Sequence, residues 1–122
     1  MTEAPHILIV DDDEEIIRYL RATLSENGYN VTATTSVQQA LNMIELRRPD
    51  LLILDLNMPG PDGFEVLKLG RLRSPYLRTI VISGYLHGAL LDAAKICGAI
   101  ATLQKPITPE VLVEKVREVL GR

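Results

Sequence analysis

The sequence predicts an α/β fold, a parallel β-sheet covered by helices on both faces. Three observations carry that expectation. Short apolar runs alternate with longer amphipathic segments along the chain, three of the runs are continuously apolar, and polar residues cluster where the runs end. With 122 residues, the chain has the size of one ordinary domain, and residues 1–122 are expected to fold as a single unit.

The first strand is Ile7-Leu8-Ile9-Val10, and Ile16, Ile17, Leu20 and Leu24 then repeat at helical spacing. Asp12 with Glu15 resembles a capping box at the start of that helix, and Asp13, Glu14 and Glu15 suit its positive end. Val31 to Thr35 reads as a second strand, followed by a helix carrying Val37, Ala40, Leu41 and Ile44. Leu51-Leu52-Ile53-Leu54 is the third strand. The helix after it, from about Gly63 to Arg73, is less regular, with Asp62 as a candidate cap and Phe64 and Leu67 as its buried face. Ile80-Val81-Ile82 forms the fourth strand, Leu86, Leu90, Ala93 and Cys97 the next helical stripe, Ile100 to Leu103 the fifth strand, and Leu112, Val116 and Val119 the last helix. Continuously apolar strands need cover on both faces, so strands one, three and four are expected inside the sheet. The mixed polarity of strands two and five suits its borders.

Composition narrows the function. The chain is 47% hydrophobic and 24% charged, in the range of sequences that fold unaided. Its formal net charge of −3 leaves no excess of Lys and Arg to follow a phosphate backbone, so a protein partner is expected and direct nucleic-acid binding is not. Cys97, the single cysteine, falls on an apolar helix side and is expected in the core. Met1 to Pro5 has no basic region, and the apolar run from Ile7 to Val10 is too short for a signal peptide or membrane span. A cytoplasmic protein without membrane contact is the expectation. His6 and His87 have no partner at metal spacing and are expected at the surface without a role.

Ligands of open parallel sheets bind outside the carboxyl ends of the strands, where strand order reverses. The first strand ends in Asp11-Asp12-Asp13, the third in Asp55, the fourth in Ser83 and the fifth in Gln104-Lys105-Pro106. Asp11, Asp12, Asp55, Ser83 and Lys105 should therefore converge. A nucleotide site would place glycines after the first strand, where carboxylates stand instead. Two unit charges about 4 Å apart repel by roughly 4 kcal/mol at an effective dielectric near 20, so the cluster needs a counter-charge. A hard dication with oxygen ligands, magnesium rather than zinc, answers that need. Lys105 then adds a positive charge and Ser83 a hydroxyl donor for a phosphoryl group on Asp55.

Over essentially its whole length the chain resembles the receiver domain of bacterial response regulators. The motifs that carry the resemblance are Ile7-Leu8-Ile9-Val10-Asp11-Asp12-Asp13, Leu54-Asp55-Leu56-Asn57-Met58-Pro59-Gly60, Ile82-Ser83-Gly84 and Lys105-Pro106. The resemblance implies a (βα)5 flavodoxin-like three-layer sandwich with strand order 2-1-3-4-5. It implies that Asp55 is the phosphoacceptor, that Asp12, Asp55 and the backbone carbonyl of Asn57 bind Mg2+, and that Asp11 acts through a water. Ser83 and Lys105 match the family's phosphate-contacting hydroxyl and lysine, and a cis Lys105-Pro106 bond is implied. The donor would be a phosphohistidine on a sensor histidine kinase or phosphotransfer protein, the output a changed contact with a downstream protein target. A monomer or weak dimer is expected, assisting only its own phosphorylation and dephosphorylation and otherwise no enzyme.

Thr102 departs from that pattern, because many receivers carry Tyr or Phe three residues before the lysine. Tyr85, two positions after Ser83, stands where side chains can influence access of water to the phosphoryl group. Two rival readings remain at this level. A magnesium-dependent aspartyl phosphohydrolase would need a second carboxylate where Asn57 stands and room for a substrate cap. A degenerate receiver would only bind a partner, which the full set of Asp11, Asp12, Asp55, Ser83 and Lys105 disfavours.

Overall fold

A computed structural model describes residues 3–58, 62–84 and 88–121. Among them, five strands alternate with five helices: β1 (His6–Val10), α1 (Glu14–Glu26), β2 (Asn30–Thr34), α2 (Val37–Arg47), β3 (Leu51–Asp55), α3 (Asp62–Arg73), β4 (Arg78–Ser83), α4 (Gly88–Ile96), β5 (Ala101–Gln104) and α5 (Pro109–Leu120). All strand pairs are parallel and the order is β2-β1-β3-β4-β5. The three apolar strands are thus internal and the two mixed ones are the edges, as expected.

Strand residues alternate between two cores. Leu8, Val10, Leu52, Leu54 and Val81 pack under α2, α3 and α4, against Ala40, Ile44, Val66, Leu67 and Ala94. Ile7, Ile9, Ile53, Ile80 and Ile82 face α1 and α5, against Leu20, Leu24, Leu112 and Val116. This is a three-layer sandwich. No helix among the described residues is long and apolar enough to cross a membrane.

Helix starts follow short polar side chains. Asp13 Oδ1 accepts the Glu15 and Ile16 amides, Ser36 Oγ the Gln39 amide and Thr108 Oγ1 the Val111 amide, with Pro109 in the first turn of α5. The cap of α1 is therefore Asp13, one residue later than the expected Asp12 with Glu15. Asp62 opens α3, and its side chain, the expected cap, lies outside the described part of the structure; the buried face of that helix includes Val66 as well as Leu67, with Phe64 only partly buried. In α4, Ala94 is the fully buried residue, while Leu90, Ala93 and Cys97 are half-buried. Cys97 thus packs at the margin of the core. Leu86 lies outside the described residues.

Candidate functional site

The register of β1 on β3 pairs Val10 with Leu54, so Asp11 and Asp55 leave adjacent strands side by side, where the strand order reverses. Asp11 is fully buried and Asp55 is 2% exposed, while Asp12 is exposed. One carboxylate oxygen from each of the three lies within 4.8 Å of the others. Lys105 enters from the end of β5, its amide bonded to the Ser83 carbonyl at 2.8 Å. Its Nζ stands 3.1 Å from Asp11 Oδ2 and 3.4 Å from Asp55 Oδ2. The Lys105-Pro106 bond is cis.

The other oxygen of each buried carboxylate is held by an amide two residues onward. Asp11 Oδ1 accepts the Asp13 N–H and Asp55 Oδ1 the Asn57 N–H, both at 2.9 Å. Oδ1 is thus pinned in each case and Oδ2 turned toward the ammonium. Burial pushes the Asp11 carboxyl up to about 6; the Asp13 amide works against that rise, the Asp55 charge adds to it, and Lys105 opposes it. Burial disfavours the charge on Lys105, but its bond and attraction to Asp11, then to Asp55, outweigh burial and raise its pKa.

The expected residues are therefore brought together, with one difference in detail. Ser83, fully buried, donates its hydroxyl to Asn57 Oδ1, and the Gly84 amide donates to the same oxygen at 3.0 Å. Sequence reasoning assigned Asn57 only its backbone carbonyl and missed this use of its side chain. Gly63 was missed as well. A Cβ there would stand 2.9 Å from Leu56 Cα and 3.0 Å from the Asp55 carbonyl oxygen, so only glycine lets α3 approach the end of β3 this closely.

Thr102 lies half-buried in β5, paired with Val81. His6 sits at the opposite end of the sheet, half-buried rather than at the surface. Its Nε2 is 2.8 Å from Thr32 Oγ1, and burial lowers its pKa against the raising effect of Asp50. Pro59, Gly60, Tyr85 and His87 lie outside the described residues.

As a donor set, Asp11, Asp12 and Asp55 are all-oxygen and anionic, without Cys or His. That chemistry fits a hard dication such as Mg2+ and does not fit a zinc site.

The family model of the response regulator receiver domain matches residues 7–117. Sporulation initiation phosphotransferase F of Bacillus subtilis (strain 168) is 32% identical over 114 residues, covering 93% of this chain and 92% of that protein. Response regulator MprA of Mycobacterium avium (strain 104) is 38% identical over 116 residues, and there the chain spans 51% of the relative's length. Among solved structures, the response regulator receiver domain protein (CheY-like) from Methanospirillum hungatei JF-1 superposes with a TM-score of 0.91 at 30% identity, over 97% of this chain and 94% of that one. Chemotaxis protein CheY4 of Vibrio cholerae gives a TM-score of 0.90 at 31% identity, over 96% and 99%.

Proposed function

The chain belongs to the response regulator receiver domain family, a family of signalling domains, and from that premise we propose that it accepts a phosphoryl group on Asp55. The donor is a phosphohistidine on a sensor histidine kinase or phosphotransfer protein, and the product state changes contacts with a downstream protein. The observation that carries this reading is the Asp55 carboxylate itself, buried at the end of a central strand, facing Lys105 and close to two further carboxylates.

The carboxylate oxygen not held by the Asn57 amide attacks phosphorus as the P–N bond of the donor breaks. The bonding pair returns to the histidine ring, which leaves as neutral imidazole when its other nitrogen carries a proton. The Asn57 amide fixes the rotation of the carboxylate, and Lys105 supplies positive charge beside the oxygens that gain negative charge. A magnesium ion, held by Asp12, Asp55 and the Asn57 backbone carbonyl with Asp11 acting through a water, would offset the charge of the carboxylates and the phosphoryl oxygens. Ser83 donates to a phosphoryl oxygen once the group is in place.

Residues 1–122 then act as one receiver domain, in the cytoplasm, as a monomer or weak dimer, without direct nucleic-acid or membrane contact. The domain assists only its own phosphorylation and dephosphorylation. Incubation with phosphoramidate, with and without Mg2+, followed by intact mass measurement tests the reading. A single magnesium-dependent phosphoryl adduct is expected. Absence of any adduct would favour a partner-binding degenerate receiver, and multiple turnover of a small phosphomonoester would favour a phosphohydrolase.

A further inference from the structure

The Asn57 side chain makes contacts that acceptance of a phosphoryl group does not itself require. Its Oδ1 takes both the Ser83 hydroxyl and the Gly84 amide, the latter at 3.0 Å. Those two donors open the segment that leaves β4, whereas Asn57 leaves β3 two residues after Asp55. The β3–β4 register, Asp55 beside Ile82, brings the two chain exits together. Asn57 is also tied to the acceptor, through its amide on Asp55 Oδ1 at 2.9 Å.

Resting on the reading of Asp55 as phosphoacceptor, we propose that the Asn57 side chain is a positioning residue, a latch that holds Ser83 and Gly84 in the resting arrangement until a phosphoryl group on Asp55 draws Ser83 away. A serine hydroxyl has one proton to donate. While that proton is directed at Asn57 Oδ1 it cannot serve a phosphoryl oxygen, so the new bond forms only as the Asn57 bond breaks. The Gly84 amide follows in the chain and leaves the same acceptor with it. Asn57 is exposed, so water replaces the lost donors and no buried acceptor is stranded. The latch therefore sets part of the gap between the resting and phosphorylated arrangements, and its removal shifts the balance toward the second.

The test uses the whole chain as wild type, Asn57→Ala, Ser83→Ala and the double variant. In the metal-free protein, hydrogen exchange of the Gly84 amide should be slow in wild type and about tenfold faster in Asn57→Ala, the scale of one lost hydrogen bond. With saturating Mg2+, Asn57→Ala should bind beryllofluoride about two- to tenfold more tightly than wild type. In the Ser83→Ala background that gain should shrink, because the hydroxyl bond is already gone. Unchanged Gly84 exchange, or beryllofluoride binding that is no tighter in Asn57→Ala than in a binding-competent wild type, overturns the latch alone. A wild type that binds no beryllofluoride overturns the phosphoacceptor reading and the latch with it.

Discussion

Replacing Asp55 by asparagine should stabilise the metal-free protein, and the size of the gain follows from the distances in the site. Asp55 forms like-charge pairs with Asp11 and Asp12, whose oxygens lie within 4.8 Å. At an effective dielectric near 20, each pair costs roughly 3.5 kcal/mol, about 7 kcal/mol for the two. The Lys105 ammonium, 3.4 Å from Asp55 Oδ2, returns about 5 kcal/mol on the same scale. The carboxylate is thus left with about 2 kcal/mol of net repulsion before the cost of its burial is counted. Asparagine keeps an oxygen for the Asn57 amide, and Lys105 keeps Asp11 at 3.1 Å, so little else is lost. For a chain of this size the melting temperature should rise by about 8 °C. Thermal melts in chelator at neutral pH and low salt read this directly. Mg2+ at ten times its dissociation constant should stabilise wild type by about 1.4 kcal/mol and Asp55→Asn by less. A variant that melts at or below wild type in chelator, with no response of wild type to Mg2+, would refute a cluster of mutually repelling carboxylates.

Other expectations follow from the same geometry. Asp11, raised by burial above all from the ordinary 3.8 to about 6, keeps its proton in the folded chain at pH values where the unfolded chain has lost it. Its contribution to metal-free stability is therefore fully present below about pH 4 and is lost as pH rises through 6. Urea melts of wild type and Asp11→Asn in chelator should diverge across that window in favour of the variant, and a pH-independent difference would contradict the burial argument. Gly63→Ala forces a methyl group against the backbone of Leu56 and Asp55, so it should cost about 1–3 kcal/mol in urea melts and slow phosphorylation; full stability with full rate would contradict the close approach of α3. With Thr102 in place of an aromatic ring, beryllofluoride should perturb amide shifts chiefly between residues 83 and 90, and larger changes at Thr102 and along α5 would contradict this.

The sheet is legible in the sequence because a strand roofed by helices on both faces must be apolar at every position. Leu51 to Leu54 are all fully buried, whereas β2 is half-exposed along most of its length. The candidate site is legible for a related reason: the apolar runs stop at Asp11, Asp55 and Ser83, and parallel pairing aligns those stops. Strand order and the cis bond came with the family resemblance. What escapes the sequence depends on contacts between distant segments or on backbone angles. The Ser83 to Asn57 bond spans 26 residues and arises from the β3–β4 register, without a local pattern to announce it. Gly63 looks like any turn glycine until β3 and α3 are seen to touch. Three consecutive aspartates offer three possible caps, and only the extended backbone at Asp13 selects one. In α4, periodicity marks Leu90, Ala93 and Cys97, but Ala94 is the residue that ends up innermost.

Borohydride reduction of the phosphoramidate-treated protein, followed by peptide mapping, identifies the carboxylate that takes the phosphoryl group. An acyl phosphate on a carboxylate is reduced to an alcohol, which marks the modified residue permanently. Reduction is expected at Asp55 alone, dependent on Mg2+ and absent from Asp55→Asn. Reduction at Asp11, Asp12 or another carboxylate in wild type, or a mark that persists in Asp55→Asn, would contradict it.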